Sequence, residues 1–340
     1  MAILVTGGLG YIGSHTVVEL LNNNFEVVII DDLSNSEKFI LKNIEEVSGK
    51  KPVFYPFDLK RKELLKQVFD AHKIDGCIHF AAYKAVGESQ EKPVDYYENN
   101  LFSLINLLQE FKERNISNFI FSSSCTVYGQ ADKMPIDEET VLKLPESSYG
   151  KTKQMGEEIL KDFATAHQKK ITLLRYFNPI GAHPTAKLGE LPIGIPNNLV
   201  PYVMQTAAGI REKLSVWGDN YPTEDGTAVR DYIYVVDLAK AHVKALQKLI
   251  NSTENTQIDI YNLGTGKGSS VLEVVHAFEK ANDVNVPYQI CERRAGDITI
   301  AYANADKAEK ELGWKAETSL EEALRTTWEW QKYLENREKI

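Results

Sequence analysis

Tyr149 and Lys153 stand four residues apart in the stretch SSYGKTK, residues 147–153. That is about one turn of helix, so a helix here puts both side chains on one face. A phenol ionises near pH 10, too high for a base at neutral pH. A neighbouring ammonium and a helix N-terminus both favour the phenolate. Such a pair can move a proton. The ordinary alternative is a helix start: Ser147 or Ser148 caps it, Tyr149 packs in its first turn, and Lys153 pairs with Glu157 one turn on. Lys153 gains nothing from the dipole in an early turn, which favours a functional reason for it. Upstream, FSSSCTVYG (121–129) ends an apolar run in serines. Serines at the carboxyl end of a parallel strand sit where such sheets bind ligands. Ser124 there could bond a substrate hydroxyl and pass its proton to Tyr149. Its alternative is to satisfy a strand-end backbone group.

The elements that would position these groups alternate from the start of the chain. AILVTG (2–7), FEVVIID (25–31), PVFYPF (52–57), IDGCIHFAA (74–82), NFIFSSS (118–124) and ITLLRYF (171–177) read as strands. Between them, 11–24, 37–47, 61–71, 93–114 and 148–168 read as helices; Ile12, Thr16 and Leu20 give the first its apolar face. Continuous apolar strands separated by helices imply a parallel sheet covered on both faces, wound right-handedly. The fold expected is α/β: a Rossmann-type doubly wound parallel sheet with a smaller mixed α/β C-terminal substrate lobe. Past about residue 178 the pattern changes to NPIGAHPTAKLGELPIGIPNN, rich in Pro and Gly, and the chain ends in a helix at 319–338. The expected division is 1–178 and 179–340, with chain crossings and a cleft between the lobes.

Gly7, Gly10 and Gly13 in TGGLGYIG fall between the first strand and the first helix. Glycines there let the backbone approach a pyrophosphate, and the helix N-terminus offers N–H donors. Asp31 ends the next strand, where it can bond a ribose diol. Asp31 and Asp32 would repel a 2′-phosphate and no Arg follows nearby, so NAD is favoured over NADP. A nicotinamide cation would add to the charges favouring a Tyr149 phenolate. Asp58, past the third strand, reads either as an adenine contact or as a helix N-cap.

These motifs carry a resemblance. The glycine spacing and the Ser124–Tyr149–Lys153 set look like the extended, sugar-nucleotide branch of the short-chain dehydrogenase/reductases. HFAAYKAVGES, LLRYFNPIGAHP, GIPNNLVPY, YPTEDGTAVRDYIYVVDLA and RRAGD extend it along nearly the whole chain to the UDP-glucose (UDP-galactose) 4-epimerase family. The resemblance implies reversible inversion at sugar carbon 4 through a 4-keto sugar, with tightly held NAD and, by family habit, a homodimer. It assigns NAD contacts to Gly7, Gly10, Tyr11, Ile12, Gly13, Asp31, Asn35, Ser36, Asp58, Leu59, Phe80, Ala81, Ala82, Lys84, Asn99 and Phe177. It assigns UDP-sugar contacts to Asn178, Asn198, Leu199, Trp217, Arg230, Arg294 and Asp297. Ala301 stands where some relatives carry a tyrosine. The smaller side chain implies room for an N-acetyl group, and so activity on UDP-N-acetylglucosamine and UDP-N-acetylgalactosamine.

A nucleotide-sugar 4,6-dehydratase on the same scaffold needs an acid pair beside the catalytic serine or threonine; here Cys125-Thr126 follows Ser124. A uronate-specific enzyme needs a cation for the sugar carboxylate, and none is identifiable. An NAD-binding regulator without catalysis would have no need of Tyr149 and Lys153. The net charge of −9 over 340 residues argues against a nucleic-acid partner. Cys77, Cys125 and Cys291 lack metal or disulfide spacing, Cys77 reading as a buried strand residue, which points to a reducing cytoplasm. No apolar run approaches the ~18 residues of a membrane helix, and MAILVTGG enters a strand without a signal-peptide pattern.

Overall fold

The computed structural model describes residues 1–294 and 297–338; Ala295 and Gly296 of the RRAGD stretch lie outside that range. The strands expected in the first half are present: β1 Ala2–Thr6, β2 Glu26–Ile30, β3 Val53–Tyr55, β4 Ile74–His79, β5 Asn118–Ser122 and β6 Lys170–Tyr176. The helices with them are α1 Tyr11–Asn22, α2 Phe39–Ser48, α3 Lys62–Ala71, α4 Val86–Glu91, α5 Pro93–Tyr97, α6 Ser103–Glu113 and α7 Ser148–His167. Every residue of β1 and of β5 is buried, as strands covered on both faces must be.

The later part contributes β7 Asn178–Ile180, β8 Leu214–Trp217, β9 Val229–Arg230, β10 Tyr232–Tyr234, β11 Gln257–Leu263, β12 Ser269–Ser270, β13 Tyr288–Cys291 and β14 Ile300–Ala301. Its helices are α8 Leu199–Ala207, α9 Val235–Asn251, α10 Val271–Asn282, α11 Asp306–Leu312 and α12 Leu320–Glu338. A seven-stranded, wholly parallel sheet runs β3-β2-β1-β4-β5-β6-β11. This is the doubly wound order with one strand added at the edge. That strand, β11, arrives from beyond residue 178, and α9 leads back to it across α1. The remaining strands build three small sheets: β10-β7, β12-β9-β14 and β13-β8.

Alternation along the strands splits the core into two layers. Ile3 and Val5 face Val17, Val18, Ile40, Leu238 and Leu246 on one side. Leu4 faces Leu65, Phe69, Leu104, Phe111 and Leu160 on the other. Burying each such side chain contributes about 1.5–3 kcal/mol. A third cluster, including Ile180, Val203, Val235, Phe278 and Leu324, holds the smaller lobe.

One expected helix is broken. The stretch 93–114 begins with α5, Pro93 at its first position, then widens into a π-helical turn at Glu98–Phe102 before α6. Lys92 is non-helical and separates α4 from α5. The wide turn carries Asn99 and Asn100 into the interior, where Asn100 Nδ2 donates to the Tyr83 carbonyl and to Thr152 Oγ1. Extra-residue turns of this kind favour function over helix regularity.

Candidate active site

The glycine loop lies at the carboxyl end of β1, where the strand order reverses direction. Gly7 has φ +67°, and a Cβ on it would come within 2.9 Å of the Ala81 amide nitrogen. A Cβ on Gly13 would meet Gly7 O at 2.1 Å, so α1 can approach β1 only through glycine. A Cβ on Gly10 would meet only Gly7 O, at 3.2 Å. No side chain caps α1 at Gly10, so its first-turn amides keep their donors for an anion. Asp31 Oδ2 accepts the Leu9 N–H at 3.0 Å, and Oδ1 accepts the Leu33 N–H and the Ser36 hydroxyl. Burial raises its pKa. Asn35 is exposed beside it. The uncapped helix, the open face at Gly10 and the acid at the end of β2 fit a dinucleotide.

Tyr11 opens α1 and reaches the other lobe, its hydroxyl donating to Gly181 O at 2.7 Å; Ile12 packs partly buried behind it. Asp58 is not a helix cap. Arg61 occupies the cap of α3, and Asp58 instead accepts the Lys60 N–H in a turn, with Leu59 buried beside it. The turn satisfies the carboxylate locally, three residues too early to reach the helix amides. Phe80, Ala81 and Ala82 follow β4, tied to Thr6 by the Phe80 and Ala81 amides. The Phe80 ring lies 4.8 Å from that of His242. Asn99 is buried and donates to Asn100.

On α7, Ser147 is the cap, accepting the Gly150 N–H. Tyr149 and Lys153 point together toward the end of β5, 8% and 4% exposed. Lys153 Nζ donates to the Ser122 carbonyl at 2.6 Å and lies 5.8 Å from the Tyr149 ring centre. The expected alternative partner, Glu157, is not its contact: Arg175 takes that carboxylate, at 2.5 Å. Ser124, 7% exposed, caps the short turn Cys125–Tyr128 by accepting the Thr126 N–H, and it lies close enough to the Tyr149 phenol to draw its pKa down.

Burial dominates both titrations. It pushes the Tyr149 phenol well up, and it lowers the Lys153 ammonium to about 7. Burial therefore works against an acidic phenol. Loss of water is the largest cause of both shifts, and the Ser124 hydroxyl draws the phenol only part of the way back.

Phe177 follows β6 and is buried against Val127, Tyr128, Ile136, Ala301 and Ala303. Asn178 opens β7, its amide bonded to Asp231 O. Asn198 and Leu199 start α8. Asn198 Nδ2 donates to Glu190 Oε1 at 2.8 Å, and Lys84 Nζ reaches the same oxygen at 3.1 Å. One carboxylate thus joins a residue assigned to the cofactor and one assigned to the substrate. Arg230 on β9 pairs with Asp297 at 3.3 Å, and the Arg294 guanidinium stacks 4.7 Å from the Trp217 ring. Ala301, 8% exposed, is the strand partner of Arg230. Trp217, Arg294 and Asp297 are exposed and Arg230 is half-buried, while Ala301 and Phe177 are buried.

Sequence reading missed several groups. Tyr176 shares a 2.6 Å hydrogen bond with Ser122, directly beside Lys153. Thr126 carries a buried hydroxyl without a partner, one residue beyond Cys125. Glu190 gave no local signal, because its partners lie across the fold. Tyr176 sits in RYFN next to residues that were assigned, and its place at the carboxyl end of a parallel strand was the available clue. Among the described residues no cluster of three His, Cys, Asp or Glu could hold a metal, and no helix is long and apolar enough to cross a membrane.

Comparison with known proteins identifies the family. Residues 4–327 match the family model described as GDP-mannose 4,6 dehydratase. The chain is 52% identical to the UDP-glucose 4-epimerase of Bacillus subtilis over 97% of each chain. It is 52% identical to that of Haemophilus influenzae over 98% of each. The crystal structure of UDP-glucose 4-epimerase from Bifidobacterium longum in complex with NAD+ and UDP superposes with a TM-score of 0.94, at 47% identity and 99% coverage of each chain. The broader model spans the scaffold; the full-length identities and the Cys125-Thr126 pair narrow it. The chain belongs to the UDP-glucose 4-epimerase family.

Proposed function

We propose that Tyr149, Lys153 and Ser124 carry out epimerisation at sugar carbon 4, interconverting UDP-glucose and UDP-galactose. The observation that carries this reading is their buried convergence at the carboxyl edge of the sheet beside the glycine loop. Bound NAD would supply a reversible acceptor for the carbon 4 hydride and a positive charge beside Tyr149. Gly7, Gly10, Gly13 and the α1 N-terminus would cradle its pyrophosphate, and Asp31 a ribose.

Tyr149 takes the proton of the 4-hydroxyl and later returns it, with Ser124 bonding that hydroxyl. Burial keeps the phenol protonated until positive charge stands beside it, and Lys153 near pKa 7 is poised to be that charge. Phenolate and ammonium stabilise each other in a pocket that excludes water. The 4-keto sugar must turn over between the two hydrogen transfers. Arg230 and Arg294 would grip the diphosphate bidentately, holding the nucleotide while the sugar rotates. Cys125 and Thr126 offer no acid for elimination of water, so the dehydratase reading is not favoured.

Ala301 carries the substrate range. It packs with Phe177 and Tyr128 in one buried cluster, which a tyrosine in its place would crowd, and its small side chain supports turnover of UDP-N-acetylglucosamine as well as UDP-glucose. Ala301→Tyr is expected to cut the first at least about tenfold and leave the second within about twofold. Equal effects on both sugars would remove Ala301 from specificity. A second copy would pack on the exposed Val94, Phe102, Ile105 and Met155 of α5–α7 and the turn between α5 and α6. The three free thiols suit a reducing cytoplasm.

Incubation with UDP-galactose and no added oxidant tests the function. UDP-glucose is the expected product; a 4-keto-6-deoxy sugar, or no product, would overturn the reading.

A further inference from the structure

Glu157 follows Lys153 by one turn of α7, so Tyr149, Lys153 and Glu157 occupy one helix face. Each reaches a different one of three successive serines. Lys153 holds the Ser122 carbonyl, Glu157 Oε1 accepts the Ser123 hydroxyl at 2.5 Å, and Tyr149 faces Ser124. Glu157 is fully buried and is neutralised by Arg175 of β6, whose Nε and Nη2 donate to Oε1 and Oε2 at 2.9 and 2.5 Å. Arg175 Nη1 donates to the Tyr128 hydroxyl at 3.0 Å, and its guanidinium lies 4.9 Å from that ring. Tyr128 in turn donates to Asn262 Oδ1 on β11, and Asn262 Nδ2 donates to the Ile136 carbonyl.

Ser123 and Tyr128 bracket the turn that Ser124 begins. Both ends of that turn are thus fastened to one buried ion pair, and the pair hangs from the helix that carries Tyr149 and Lys153. A pair this costly to desolvate gives the fold little stability over apolar packing, which leaves geometric specification as its use.

We infer that the Glu157–Arg175 pair is a positioning device: through Ser123 and Tyr128 it fixes Ser124 in register with Tyr149 and Lys153. This rests on the proposed roles of those three residues. A hydroxyl displaced by a fraction of an ångström from the reacting 4-hydroxyl slows the proton transfer but leaves nucleotide binding intact. Glu157 also faces Lys153 as a carboxylate. The other groups facing Lys153 are Tyr149 on α7, the Ser122 carbonyl and Phe121 ring of β5, and His79 of β4. Tyr176 of β6 stands beyond, bonded to the Ser122 hydroxyl.

Ser123→Ala and Tyr128→Phe each remove one hydroxyl and keep the ion pair. Each is expected to lower kcat by about tenfold with KM for UDP-galactose within about twofold. Glu157→Gln is expected to move the alkaline limb of the kcat profile to lower pH, because loss of the carboxylate favours the neutral Lys153 amine. Glu157→Gln on its own strands the Arg175 charge. Glu157→Gln/Arg175→Met therefore serves as the folding control: it regains thermal stability over Glu157→Gln, yet kcat stays low. A kcat at the parent level in Ser123→Ala and Tyr128→Phe overturns the inference, as does recovery of kcat in the double variant. If those variants lose kcat but Tyr149→Phe retains it, the assignment of the base fails, and the positioning inference falls with it.

Discussion

The two walls of the candidate site are built on opposite terms. On the sheet side, Tyr149, Lys153 and Ser124 are almost wholly buried, and the ammonium is spent on a carbonyl 2.6 Å away. On the lobe side, Arg294 and Asp297 are exposed, and Trp217, on which Arg294 stacks, is 38% exposed. The difference matches the roles proposed for the two walls. Proton transfer gains from exclusion of water, which makes the phenol and ammonium responsive to each other and to a nearby cation. Binding a diphosphate calls for guanidinium groups that stay hydrated and charged until the anion arrives, since a buried unpaired arginine is costly. Arg175 shows the other solution within the same chain: fully buried, and matched bidentately to Glu157.

If that division is right, substitutions on the two walls will have different kinetic signatures. Tyr149→Phe should have the largest effect, lowering kcat by about a thousandfold with KM little changed, because only the proton carrier is lost. Near-parent kcat in that variant would mean the base lies elsewhere.

Lys153→Met is expected to lower kcat by about a hundredfold and, unlike most active-site changes, to stabilise the fold. Burial brings the Lys153 pKa from 10.5 to about 7, so the unfolded chain binds more protons between those values. Stability therefore rises with pH across that window, and below about pH 7 the folded protein bears the whole cost of the buried cation. The thermal midpoint of Lys153→Met should exceed the parent's most at pH 6, the gap closing toward pH 10. A gap that is absent, or that widens with pH, would contradict burial as the cause.

Arg230→Ala tests the other wall and should be mildest in kcat. Loss of a charge-assisted contact worth about 1.5–3 kcal/mol raises KM roughly 10- to 100-fold. Should it instead lower kcat at constant KM, the arginine would belong with the chemistry, and the contrast between the walls would fail.

Much of the first wall was legible because its signals are local. Gly7 and Gly13 mark a loop that no Cβ could enter, and Ser147 caps α7 just before Tyr149. The apolar strands of the first half announced the parallel sheet. What escaped depends on long-range pairing. Nothing near Glu157 says that Arg175, 18 residues on, will take it from Lys153. Nothing near β11 says that it returns to the edge of the first sheet beside β6. The π-helical turn at Glu98–Phe102 reads as ordinary helix until Asn100 is seen holding Tyr83 and Thr152. The raised phenol pKa follows from burial, which spacing along a chain does not reveal.

The central claim is that one pocket removes and returns the same hydrogen at carbon 4 without an outside oxidant. UDP-galactose carrying deuterium at carbon 4, incubated with the protein in ordinary water, tests it directly. The account predicts UDP-glucose with the deuterium still at carbon 4; label lost to solvent, or product formed only when an oxidant is added, would contradict it.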